Sequence, residues 1–193
     1  MRVLGIDPGL SRCGYGVVEG TANRPAAVRA GVIRTPATEP VSRRLGTIHA
    51  ELLAVMRTER PDAVAVERVF FDRNVSTGIG VAQAAGMALL CADLLGLPVA
   101  EYTPTEVKAA VAGDGGADKA QVGYMVRATL RLAEVPRPAD AADALALALC
   151  HLQGGGAQHS GAMSPRLAAA AAAAGAGAQV VRRGAARTGG RRQ

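Results

Sequence analysis

Apolar and polar positions come in short alternating blocks along the first third of the chain. Val3-Leu4-Gly5-Ile6 runs into Asp7-Pro8-Gly9, and Gly14-Tyr15-Gly16-Val17-Val18 follows. An apolar run closed by a turn pair and answered by a second run predicts two antiparallel strands, about 2–7 and 13–19. A third strand is expected near 28–34. The period then changes. Val41, Leu45, Ile48, Leu52 and Val55 recur at spacings of four and three, which predicts an amphipathic helix over about 41–60, stopped by Pro61-Asp62. Ala63–Glu67 reads as a short buried strand, 75–95 as a helix rich in Gly and Ala, and Leu97–Tyr102 as a fifth strand.

Thr103-Pro104-Thr105-Glu106 is a helix start: Thr103 caps, Pro104 suits the first helical position, and Glu106 completes a capping box. Gly113–Gly116 breaks that helix. Further helices are expected over about 118–132 and, after Pro136 and Pro138, over about 139–152. This order of elements predicts an α/β fold with a mixed five-stranded sheet flanked by helices, hairpins first and crossover helices afterwards. From Gly154 onward the text turns to Gly, Ala and Arg, a composition that cannot bury enough apolar surface to order itself. The expected organisation is a domain over 1–153 and a disordered tail over 154–193.

Charge sharpens that boundary. The net charge is +6, yet all six ionised side chains after Ala157 are arginines, leaving 16 basic residues to balance 16 acids before it. The excess belongs to the tail, so net charge says little about what the folded part binds. On phosphate such a tail would act as a sequence-blind polycation, seen as a steeper salt dependence of binding. Three cysteines, Cys13, Cys91 and Cys150, lie far apart in apolar surroundings with no Cys-x-x-Cys pair, which argues for buried thiols in a reducing cytoplasm over a zinc ribbon. Asp7 interrupts the first apolar run too early for a secretory signal. No stretch approaches the eighteen or so apolar residues of a membrane span.

The candidate chemistry lies in four acids. Asp7 and Glu67 each end an apolar strand, and Asp140 and Asp143 stand three apart on one predicted helix, where such positions are neighbours. A lone Asp before Pro-Gly is more often a turn residue, and Asp-x-x-Asp near a helix start more often serves the helix dipole. Together the four are a set of hard oxygen ligands. They suit metal-dependent phosphodiester chemistry, in which two ions about 4 Å apart activate a water and stabilise the leaving oxygen.

Gly5-Ile6-Asp7-Pro8-Gly9 with Gly14-Tyr15-Gly16, Val66-Glu67-Arg68-Val69-Phe70, and Asp140-Ala141-Ala142-Asp143-Ala144-Leu145 resemble the RuvC-type Holliday junction resolvases. So do Asn74, Gln83-Ala84-Ala85-Gly86, Pro104, Val107-Lys108, Lys119-Ala120-Gln121-Val122 and Met125-Val126, and the likeness covers about 1–152. It implies an RNase H-like fold and a homodimer that nicks two like-polarity strands of a four-way DNA junction. It also implies magnesium, two ions per subunit with manganese as a substitute, and a branch-migration motor as partner. Carried over by position, Asp7, Glu67, Asp140 and Asp143 are the metal ligands, Lys108 and Lys119 meet the DNA backbone, and Phe70 acts at the junction centre. The 75–95 helix would carry the dimer contact.

Other readings bear on the same residues. Lys108 and Lys119 are the only lysines, and both phenylalanines, Phe70 and Phe71, fall in one loop with Arg73 and Asn74, where rings can stack on unpaired bases. Packing in a core or dimer contact is the alternative for either ring. His151, two helical turns beyond Asp143, is open between a partner of the metal site and an ordinary histidine. For the whole chain, the actin-like ATPases share a strand-Asp-Gly-strand start, but they need two lobes and a second phosphate loop. A RuvC-like nuclease acting on RNA and a non-catalytic junction-binding protein are the remaining alternatives. Four intact acids beside phosphates disfavour the second.

Overall fold

Val3, Leu4 and Ile6 are fully buried because their strand, β1 (Arg2–Asp7), is the middle of the sheet. The computed structural model describes residues 1–69 and 75–155. β2 (Arg12–Thr21) and β3 (Arg24–Arg34) follow as antiparallel hairpin strands, and β4 (Ala63–Glu67) and β5 (Val99–Tyr102) add in parallel on the other side. The order is β3-β2-β1-β4-β5. Five helices complete the fold: α1 (Val41–Glu59), α2 (Val75–Leu94), α3 (Pro104–Ala112), α4 (Lys119–Thr129) and α5 (Ala139–Cys150), the last ending in one wide turn, His151–Gly155. This is the mixed five-stranded α/β architecture expected of an RNase H-like fold. The boundary expected at 153/154 falls within the turn His151–Gly155, and residues 156–193 of the expected tail lie outside the described residues. No helix among those described is long and apolar enough to cross a membrane.

The hairpin is longer than its sequence suggests. Gly20 and Pro25 face each other as paired residues, where the sequence reads as a loop. Pro25 is tolerated because β3 is an edge strand, so its missing N–H need not serve a second neighbour. A register shift opposite Val17/Val18 leaves Val28 as an extra residue in β3, a bulge that turns this side chain outward. α4 stops short of the expected residue 132: Leu130 caps it, and Arg131 has a positive φ of 55° that no helix continues through.

Strand alternation divides the core. Leu4, Ile6, Val17, Ile33, Val64 and Val66 face α1 and α2, while Val3, Val18, Ala65, Ala100 and Tyr102 face α3, α4 and α5. On the second face the floor is glycine. Gly5 and Gly16 are directly opposed across β1 and β2, and Gly14 is opposed to Asp7. A Cβ on Gly5 would come 2.0 Å from the carbonyl oxygen of Ala144, and one on Gly14 would come 2.1 Å from that of Asp140. Atoms cannot approach so closely, so α5 lies against strand backbone with no side chain between. That contact sets the depth of α5 over the end of β1.

Substitution at the floor should therefore be costly where the same change elsewhere is not. Gly14→Ala should destabilise the domain by about 1–3 kcal/mol through overpacking. Gly46→Ala, exposed in α1 with open space around its Cβ position, should stabilise by about 0.4–1 kcal/mol. Urea denaturation of both variants tests this; equal midpoint shifts would mean that α5 is not seated on the glycine floor.

Candidate metal centre

Asp7 and Glu67 end two adjacent parallel strands. Ile6 pairs with Val66, so the two acids stand side by side at the carboxyl edge of the sheet. Alternation puts Asp7 on the face of Gly5 and Glu67 on the face of Ala65, the side covered by α5. Asp140 lies in the first turn of α5 and Asp143 one turn on. In the otherwise buried stretch 141–150, Asp143 alone reaches solvent. The four acids predicted from sequence are thus delivered to one edge by β1, β4 and α5.

Their electrostatics show what the cluster lacks. Burial pushes the Asp7 carboxyl up to about 8, and the charges of Glu67, Asp143 and Asp140 push the same way. Burial also raises Glu67, opposed by its hydrogen bond with Asp7 and by the charge of Lys119. Without a cation, Asp7 keeps a proton and shares it with Glu67, because two carboxylates this close cannot both ionise cheaply. The two helix acids take cationic partners: Lys119 Nζ donates to Asp143 at 3.0 Å, and the Arg12 guanidinium donates to Asp140. Hydrogen bonding to Asp143 and the surrounding negative charge raise Lys119, so it stays protonated.

The donor set fits a hard divalent cation: four carboxylates and no soft ligand. The three cysteines are buried and free, and His151 is engaged elsewhere, its Nδ1 bonded to the Tyr102 hydroxyl at 2.7 Å. Among the described residues no three acid, thiol or imidazole groups are yet gathered tightly enough to grip an ion. Arg12 and Lys119 occupy the carboxylates that such a grip needs.

Both predicted lysines are close by. Lys108 on α3 and Lys119 at the start of α4 line one cleft of about 510 Å³ together with Glu67 and Asp143. Lys119 is fixed by a capping box the sequence reading passed over: Asp118 accepts from the Gln121 amide, and the Gln121 side chain accepts from the Asp118 amide, each at 2.8 Å. The predicted Thr103/Glu106 box is present on α3. Phe70, Phe71, Arg73 and Asn74 lie outside the described residues.

Two arginines escaped the sequence reading. Arg12 reaches Asp140 across 128 positions of chain. Arg44, on the first turns of α1, is buried with Nε donating to the Thr35 hydroxyl at 2.9 Å and Nη2 donating to Ser11. Thr35 in turn donates to the Leu10 carbonyl. The turn after Asp7 is therefore pinned from below by a buried cation. The available signal for Arg12 was its place in β2, two residues before Gly14 and hence on the same face. For Arg44 there was none beyond a basic residue on an apolar helix stripe.

Comparison with known proteins gives one answer. A family model described as "Crossover junction endodeoxyribonuclease RuvC" matches residues 3–151. Relatives of that name from Frankia alni and Streptomyces avermitilis are 61% and 59% identical over 153 residues, covering 79% of this chain and 78% and 87% of theirs. The solved structure of Thermus thermophilus RuvC in complex with Holliday junction substrate has a TM-score of 0.75 at 45% identity, over 78% of this chain and 92% of that one. The yeast mitochondrial resolvase Ydc2, 14% identical over 78% of this chain and 77% of its own with a TM-score of 0.59, shares the fold.

The raised Asp7 carboxyl has a measurable consequence in metal-free protein. Unfolded, the group titrates near its ordinary 3.8; folded, it holds its proton to about 8. Between these values the folded state binds the extra proton, so stability falls as pH rises through that window. Asp7→Asn removes the titration. In chelator, its melting temperature should exceed that of wild type at pH 8, with the gap closing toward pH 4. A gap that ignores pH would contradict the shift.

Proposed function

This chain belongs to the crossover junction endodeoxyribonuclease RuvC family, and from that premise we propose that Asp7, Glu67, Asp140 and Asp143 form its metal centre. The enzyme is a divalent-metal-dependent endonuclease of recombination and repair that resolves four-way DNA junctions. The observation that supports the site assignment is the convergence of four acids from β1, β4 and α5, with Lys119 on Asp143 and Arg12 on Asp140.

We read the metal as magnesium, two ions per subunit, with manganese able to substitute. When bound, such ions activate a water and stabilise the leaving oxygen of the phosphodiester. Asp7 and Glu67, on strand ends that the sheet holds rigid, would offer fixed oxygens to the ions, and Asp140 and Asp143 would supply the others. Lys108 and Lys119, in the cleft beside Glu67 and Asp143, bind the scissile phosphate strand and set its distance from the acids. Phe70 acts at the junction centre, with Phe71, Arg73 and Asn74 touching DNA from the same loop. We infer that residues 1–153 form the catalytic domain and that the tail over 154–193 contacts phosphate, and we expect the enzyme to work in the cytoplasm with a branch-migration motor as partner.

Paired nicks call for two-fold symmetry, hence a homodimer. α2 supports it: Ala84, Ala88, Cys91 and Ala92 are buried against the domain, while Ile79, Leu89, Leu90 and Leu94 are exposed. Single exposed apolar residues are ordinary, but four on one helix suit a partner of the same kind.

Asp7→Asn, Glu67→Gln, Asp140→Asn and Asp143→Asn should each reduce cutting of a synthetic mobile four-way junction in magnesium to background while junction binding is kept or tightened. Calcium should support binding without cutting, since its looser coordination places the water poorly. Near-wild-type nicking by any one variant removes that residue from the ligand set.

Leu90→Glu with Leu94→Glu should convert the dimer to monomer in light scattering and abolish paired nicking. A monomeric active wild type would overturn the dimer.

A further inference from the structure

The Arg12–Asp140 pair stands apart from the roles given so far. Arg12 opens β2, and the close seating of α5 on Gly14 brings the first turn of the helix over it. Its guanidinium meets the Asp140 carboxylate although neither is sealed from water, with side chains 46% and 23% exposed. Directly across the hairpin from Arg12 is Arg34, a like-charged cross-strand pair that is unfavourable in itself. Asp140 is thus the counter-ion of Arg12 at this end of the sheet. A contact this exposed is weak and exchangeable, not a permanent strut.

We propose that Arg12 restrains metal binding through its ion pair with Asp140. It acts as an internal counter-cation that holds Asp140 in the metal-free enzyme and competes with the divalent ion for that carboxylate. This rests on the reading of the four acids as the metal centre. Three consequences follow from charge alone. Neutralising Arg12 removes both a competitor for Asp140 and a positive charge that repels the ion. Retaining a charge at residue 12 retains the competition. Raising the salt screens the effect, because the Debye length falls to about 3 Å at 1 M.

The test is direct binding of Mn²⁺ to the full-length chain, read from the loss of the free-ion signal in electron paramagnetic resonance at low ionic strength, without DNA. Arg12→Gln should bind Mn²⁺ roughly two- to tenfold more tightly than wild type. Arg12→Met, of similar length and also uncharged, should do the same, and Arg12→Lys should stay close to wild type. The gain should shrink at high salt and vanish on an Asp140→Asn background, as a double-mutant cycle requires of a direct competitor. Unchanged or weaker affinity in both neutral variants overturns the proposal: unchanged affinity would mean that the pair has no bearing on the ion, and weaker affinity that Arg12 orients Asp140 for it. Asp7→Asn, measured alongside, separates the two levels. Wild-type Mn²⁺ affinity in that variant refutes the metal centre itself, whereas its loss, with Arg12→Gln unchanged, refutes the role of Arg12 alone.

Discussion

The contact between α5 and the bare backbone of β1 and β2 is the constraint on which the rest depends. A helix normally stands off a sheet by the height of two layers of side chains. Here Gly5, Gly14 and Gly16 remove one of those layers, and the backbone carbonyls of Ala144 and Asp140 lie where strand Cβ atoms would be. The close seating carries Asp140 and Asp143 toward the end of the central strand, where Asp7 is. Ala142 and Ala146, which line clefts shared with α3 and α4, let those helices close over the other side of α5. The scarcity of large aromatics is consistent with this design, since a tightly layered core of Ala, Val and Leu leaves little room for them.

A cluster of acids held that closely is unstable as long as it is alone. The structure relieves it in two ways with different costs. Asp7 and Glu67, the more buried pair, share a proton, which removes charge where solvent cannot screen it. Asp140 and Asp143, nearer the surface, take Arg12 and Lys119. Both arrangements lower the charge that the four acids would otherwise carry, and oxygen donors of this kind are the type that hard divalent cations take.

The sheet order explains why the site lies at an edge. β1 is flanked by an antiparallel and a parallel neighbour, so its carboxyl end is the point where the hairpin half and the crossover half of the sheet meet. The turn leaving that end cannot be loose if Asp7 is to hold its position. Buried Arg44 and Thr35 tie it, through Ser11 and Leu10, to α1 and to the residue after β3. On the opposite face α1 and α2 form an ordinary apolar layer, which leaves the outer side of α2 free for a partner.

What the sequence determined by itself was local. Apolar periods of two and of about 3.6 placed five strands and five helices, because side-chain alternation depends on near neighbours alone. Asp7 and Glu67 were legible as acids that end apolar strands, and became candidates only together with Asp140 and Asp143. Thr103 and Glu106 were legible because a capping box is complete within four residues. The tertiary structure decided everything that joins distant segments. Strand pairing across Pro25 depended on β3 being an edge, which no local pattern encodes. Arg12 found Asp140, Arg44 was buried under the turn, and His151 was drawn to Tyr102 at the far end of α5 and away from the acids. These partners are set by the order of strands and the depth of one helix. Those are non-local quantities, fixed by three glycines whose importance lies in what packs against them.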